Sequence, residues 1–144
     1  MDSFILDASV GIKCLFTEEL TEKAKSLLLK FKQNKIKIIV PELFYSEVAN
    51  TCWLKSRKKL ITPAEAIEGL DYLAGLPFKR YSDFELADVA LENALRFNIS
   101  AYDGLYLALA EVYVTPLVTA DDALLKACRG RFDFIESLSE FSVS

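Results

Sequence analysis

Phe4-Ile5-Leu6-Asp7-Ala8-Ser9 is the stretch from which the fold is read: a short apolar run closed by an acid. Such a run suits a strand buried on both faces, with the acid where the strand emerges. Similar arrangements recur at Ile99-Ser100-Ala101-Tyr102 before Asp103 and at Pro116-Leu117-Val118-Thr119-Ala120 before Asp121. A fourth acid, Glu47, falls inside a helical pattern, a turn beyond Leu43 and Phe44. If the apolar runs are strands, their carboxyl ends gather at one edge of a sheet. Acids collected there repel one another unless a cation joins them, and Mg²⁺ or Mn²⁺ is the economical candidate.

Working outward, Leu20, Ala24, Leu27, Leu28 and Phe31 recur at helical spacing and predict an amphipathic helix ending near Asn34. Ile36–Val40 is brief and β-branched, a second strand, after which Pro41 is expected to open a helix running to about Lys59. Thr62-Pro63-Ala64-Glu65 has capping-box spacing with proline at the first helical position. Ala66, Ile67, Leu70, Leu73 and Ala74 then form one face, which Gly75 and Pro77 stop. Phe78–Tyr81 is expected as a short strand, with Asp83 capping a helix through Ala87, Ala90, Leu91 and Ala94. Asp103 is expected to begin the most apolar helix, buried because Leu105 to Ala110 are apolar all round. Pro116–Thr119 follows as a strand, Asp121–Cys128 as a helix and Phe132–Ile135 as a last edge strand. Strand and helix alternate, so an α/β fold with a mostly parallel sheet and right-handed crossovers is predicted.

The 144 residues suit a single domain, 1–144, large enough to bury a core, and the 52 % apolar content fits a sheet covered on both faces. No apolar run approaches the roughly 18 to 20 residues of a membrane span. The N-terminus has neither a basic region nor a small-residue cleavage site, so no secretory signal is read and a cytoplasmic location is expected. Cys14, Cys52 and Cys128 fit neither a disulfide framework nor zinc spacing and are read as buried thiols. Histidine is absent, which removes Ser-His-Asp, Cys-His and histidine-pair chemistry and most zinc enzymes. Acid–base work must then use carboxylates, lysine, tyrosine or water on a metal. The net charge of −4 argues against broad nonspecific nucleic-acid binding, yet basic residues cluster locally around Lys35/Lys37, Lys55 to Lys59, Lys79-Arg80 and Arg129/Arg131. Patches rather than totals set phosphate affinity.

Each acid also has an ordinary explanation. Asp7 suits a turn or helix cap, Asp103 and Asp121 precede helices, and Glu47 suits a boundary position that reaches solvent. Taken together, the stretches Phe4-Ile-Leu-Asp7-Ala-Ser9, Pro41-Glu-Leu-Phe-Tyr-Ser-Glu47-Val-Ala-Asn50, Ser100-Ala-Tyr-Asp103-Gly-Leu-Tyr-Leu-Ala-Leu-Ala110 and Leu117-Val-Thr119-Ala-Asp121 resemble, in order, the four signature segments of PIN-domain nucleases. The resemblance is closest to VapC-type toxins of toxin–antitoxin pairs and covers essentially the whole chain. It implies a three-layer α/β/α sandwich, Mg²⁺- or Mn²⁺-dependent cleavage of RNA and a cognate antitoxin; a homodimer is expected as well. It places the family's acids at Asp7, Glu47, Asp103 and Asp121, with Ser9 and Thr119 as the hydroxyl positions. Asp122 is an extra neighbour without an assigned role.

Asp7 and Asp103 are expected as direct ligands, with Asp121 and Glu47 binding through water, completing a second site or accepting a proton. Lys58, eleven residues past Glu47, returns on an ideal helix to nearly the same face about 16 Å along the axis, where it would hold a substrate phosphate or remain simply solvated. Two rivals stand beside this reading. A phospho-receiver module would want paired acids after the first strand and a lysine after a late one, and neither is found. A PIN fold acting as a non-cleaving RNA-binding or assembly scaffold is the other.

Overall fold

The computed structural model describes residues 2–142. Its strands are β1 (Asp2–Leu6), β2 (Ile36–Pro41), β3 (Lys79–Tyr81), β4 (Leu117–Thr119) and β5 (Ile135–Ser137). Its helices are α1 (Ala8–Leu15), α2 (Thr21–Lys32), α3 (Leu43–Arg57), α4 (Pro63–Ala74), α5 (Ala87–Phe97), α6 (Ala101–Tyr113) and α7 (Asp122–Cys128), with a 3₁₀ turn at Phe84–Leu86. The strands form one sheet in the order β3-β2-β1-β4-β5, and every pairing is parallel.

Side-chain alternation explains the layers. Phe4 and Leu6 of β1, Ile36, Ile38 and Val40 of β2, and Val118 of β4 pack on one face with Val10, Ala24, Leu27, Phe44 and Val48. Ile5, Ile39 and Leu117 point the other way, against Ala90, Phe97, Leu107 and Leu124. Two cores thus sit on opposite faces of one sheet, which is the three-layer sandwich, with α1 to α4 on one side and α5 to α7 on the other. Helix α6 is buried continuously from Gly104 to Ala110, as its all-round apolarity required. The capping box at Thr62 and Glu65 is formed in both directions.

Several boundaries differ from expectation. Pro41 closes β2, paired with Tyr81, and α3 begins only at Leu43. Asp83 makes no cap; its Oδ1 instead accepts the Leu43 N–H at 3.3 Å, tying the 3₁₀ segment to the start of α3. Ser100 caps α6, so Asp103 is its third helical residue rather than its first. The last strand lies at Ile135–Ser137, because Phe132 and Phe134 are drawn onto the α5–α7 face and pairing with β4 starts only after them. Helix α1, which the sequence pattern did not announce, follows Asp7 at once.

Candidate functional site

The strand order reverses at β1: the chain adds β2 and β3 on one side and later β4 and β5 on the other. Ligands of open α/β sheets bind at such a switch point, beyond the carboxyl ends of the strands. Asp7 follows β1 and Asp121 follows β4, so the two acids flank it. Glu47 on α3 and Asp103 on α6 reach the same cleft from opposite layers.

Asp7 is the most rigidly held of the four. It is only 6 % exposed, and although it precedes α1 its carboxylate makes no cap hydrogen bond. Ser9 Oγ donates to Asp7 Oδ2 at 2.6 Å and Thr119 Oγ1 donates to the same oxygen at 2.7 Å. Each hydroxyl is fixed from behind, since Ala120 N–H donates to Ser9 Oγ and Asp121 N–H to Thr119 Oγ1, both at 3.1 Å. Two parallel relays thus run from the β4–α7 loop to one carboxylate oxygen, orienting it as supporting groups orient metal ligands. Asp121 itself caps α7, its Oδ1 accepting from Ala123 and Leu124 N–H at 3.0 and 3.1 Å.

On α3, Phe44, Val48 and Cys52 form the buried row, and Glu47, Thr51 and Lys55 form the adjoining row that lines the cleft. Glu47 lies beside Tyr106 of α6, whose hydroxyl favours the charged carboxylate, yet neither Glu47 Oε1 nor the Tyr106 hydroxyl makes a hydrogen bond of ordinary geometry. Lys58 stands apart. It is the C-cap of α3, its N–H still bonded to the Leu54 carbonyl at 3.0 Å, and its side chain is exposed and outside the cleft-lining residues. Lys55 and Lys13 are the basic side chains that line the cleft. Lys55 had a signal in the sequence, two helical turns past Glu47; Lys13 lies on the unannounced α1, and Glu18 on a loop without any periodic pattern.

The acids disturb one another's ionisation. Burial pushes Glu47 up to about 7, with the nearby charges of Asp7 and Asp103 adding to the effect. Burial likewise lifts Asp103 to about 6, reinforced by Asp7 and Asp121. Asp7 is raised by burial against the opposing hydrogen bonds of Ser9 and Thr119. Raised carboxyl values mean that the folded chain holds these protons more tightly than the unfolded chain. The associated stability is fully present below the ordinary values of 3.8 and 4.5 and is lost as pH rises through about 6 and about 7. The chelated protein should therefore melt several degrees higher at pH 5 than at pH 7.5, and Glu47→Gln should shrink the difference. Added Mn²⁺ should raise the melting temperature at pH 7.5. A flat pH profile, or a difference that Glu47→Gln leaves intact, refutes this account of the cleft.

Among the described residues no three of the acidic or thiol side chains are drawn close enough together to ligate one ion. Their chemistry nevertheless fits a hard divalent cation. The donors are all oxygens, and Glu47 presents a buried oxygen that lacks a partner.

Comparison with known proteins adds a second line of evidence. A family model described as "PIN domain" matches residues 4–130. The chain is 30 % identical over 122 residues to Ribonuclease VapC3 of Pyrobaculum aerophilum, covering 83 % of this chain and 90 % of that one. The crystal structure of PAE2754 from Pyrobaculum aerophilum superposes with a TM-score of 0.69 at 25 % identity, over 96 % of this chain and 85 % of that one. A toxin–antitoxin complex from Klebsiella pneumoniae contains a chain with the same fold, at a TM-score of 0.66 and 16 % identity, over 95 % of this chain and 98 % of that one.

Proposed function

Because the chain belongs to the PIN domain family, we propose that it is a metal-dependent endoribonuclease and the toxin of a toxin–antitoxin pair. The observation that carries the proposal is the convergence of Asp7, Glu47, Asp103 and Asp121 on one cleft at the sheet's switch point. The relative named as a ribonuclease and the neighbour solved as a toxin–antitoxin complex support it. For a protein partner, support comes from the apolar groove between α3 and α4, where Trp53 and Ile67 are 54 % and 64 % exposed.

In this reading Asp7 and Asp103 would hold Mg²⁺ or Mn²⁺, with Asp121 and Glu47 completing the set. The bound ion supplies positive charge that activates water and offsets the charge gathering on the phosphate. Ser9 and Thr119 keep Asp7 Oδ2 oriented through the two relays. Asp121 stays anchored by its Oδ1 cap at the mouth of α7. Glu47 Oε1, buried and unpartnered, is assigned to take the proton from the attacking water.

The test is cleavage of a labelled single-stranded RNA with Mg²⁺ or Mn²⁺ and its survival in chelator. RNA bound but uncut with both ions would return the reading to a non-cleaving scaffold. Within the same assay, Glu47→Gln should slow cleavage by about 100-fold or more. Its near neighbour Glu42, whose Oε1 accepts the Asp83 N–H at 3.4 Å and which does not line the cleft, should tolerate Glu42→Gln within about twofold, as surface substitutions usually are tolerated. Equal losses at the two positions would mean that α3 turns a different face to the site.

A further inference from the structure

Lys13, Glu18 and Lys55 line the same cleft as the four acids. Lys13 Nζ lies 3.3 Å from Glu18 Oε1 and Lys55 Nζ lies 3.0 Å from Glu18 Oε2, so one carboxylate is gripped between two ammonium groups. The lysine side chains are only 14 % and 20 % exposed, although lysine is among the residues least often drawn inward. Ion pairs that remain partly hydrated contribute little to stability, so stability is a weak reason for this arrangement.

The loop that carries Glu18 is fixed, while among the described residues its carboxylate is held by the two lysines alone. The loop is pinned by Glu18 N–H donating to Thr21 Oγ1 at 2.9 Å, and that hydroxyl donates to the Phe16 carbonyl at 3.2 Å. Leu20, between them, takes a left-handed backbone conformation at φ 68°, which a γ-branched residue adopts only under constraint. Lys55 Nζ also stands over the Phe16 ring, 5.9 Å from its centroid. Two lysines around one two-oxygen anion, beside a candidate phosphodiester-cleaving site, are the donors that a backbone phosphate needs.

Resting on the ribonuclease reading of the cleft, we propose that Lys13 and Lys55 seat a backbone phosphate of the RNA strand next to the one being cut. Glu18 fills that seat in the free protein as a stand-in for the phosphate and yields it when RNA binds. The phosphate's two non-bridging oxygens take over the contacts of Glu18 Oε1 and Oε2, and the displaced carboxylate turns to solvent. The seat positions substrate and has no part in bond cleavage. While Glu18 occupies it, the free cleft presents five acids to two lysines and disfavours weakly bound nucleic acid.

The experiment measures cleavage of a 5′-labelled single-stranded RNA of mixed sequence in Mn²⁺, over a range of NaCl, for four variants whose folding is checked by thermal melts. Lys55→Met keeps an unbranched side chain of similar length and removes the charge. It should raise KM about tenfold, reduce the slope of log kcat/KM against log salt by about 0.7, and alter kcat much less. Lys13→Met should behave alike, and Lys55→Arg should restore the wild-type slope. Glu18→Gln should lower KM several-fold, because the competitor is gone. A wild-type KM and salt slope in Lys55→Met would overturn the proposal, as would a raised KM in Glu18→Gln. If the wild type cuts no RNA, the ribonuclease reading fails by itself. Fluorescence anisotropy with the same RNA then still decides the seat, which falls if Lys55→Met binds as tightly as wild type.

Discussion

On the proposed function, Asp7→Asn is expected to lower RNA cleavage at least about 100-fold and to leave the metal-free melting temperature unchanged or raised. The size follows from its position. Altering a group that merely supports a metal ligand typically costs about 10- to 100-fold, and Asp7 is assigned as a ligand itself. The retained fold follows from its surroundings. Asparagine is isosteric, and its carbonyl oxygen can still accept from Ser9 and Thr119 as Asp7 Oδ2 does. The buried negative charge, which desolvation already disfavours, is removed. Asp103→Asn should lose cleavage comparably. In cells, expression of the wild-type chain without a partner should arrest growth, and Asp7→Asn should relieve the arrest. Wild-type turnover in either variant removes that residue from the site. A variant that fails through unfolding would show a lowered melt, and an unchanged melt with lost turnover separates the two causes.

Gly104→Ala should lower stability by about 2–3 kcal/mol, or roughly 10 °C in melting temperature. An added Cβ would stand 2.2 Å from the Ala90 carbonyl oxygen and 3.1 Å from its carbon. Both belong to the backbone of α5, so no side-chain rotation relieves the clash, and the two helices must separate. The higher helix propensity of alanine returns about 1 kcal/mol and is already discounted in that figure. Separation would also break the clamp in which Asn93 Nδ2 donates to the Gly104 carbonyl at 3.3 Å and to Glu111 Oε1 at 3.2 Å. Asp103 immediately precedes this contact, so cleavage should fall together with stability. A melt within 2 °C of wild type would show that the α5–α6 contact is looser than its geometry indicates.

Much of the fold was legible because the residues concerned answer to local rules. The β-branched and apolar runs that became β1, β2 and β4 are two-sided because each is buried on both faces. The capping box at Thr62 and the all-apolar run after Asp103 reported their helices directly. Where tertiary pairing set the boundary, the local signal misled. Pro41 has a helix-opening identity, but it is the last residue of β2, paired with Tyr81 of β3. The aromatic pair Phe132 and Phe134 reads as strand but is claimed by the core beside Phe97, which shifts β5 three residues onward.

By itself the sequence determined that the sheet would be buried on both sides, that no histidine chemistry was available, and that four acids closed or neighboured its apolar segments. Those properties depend on residue type and on spacing within a single element, which the chain carries wherever it goes. Only the tertiary structure decided which groups share the cleft. Lys58 is lost from it because three helical turns carry it about 16 Å along α3 from Glu47, whereas Lys13 and Lys55 reach the two oxygens of Glu18 from 42 positions apart because α1 packs against α3. The Ser9 and Thr119 hydroxyls likewise meet on Asp7 because parallel pairing sets β4 beside β1. Contacts between residues far apart in the chain are fixed by packing, and no periodicity along the chain encodes them.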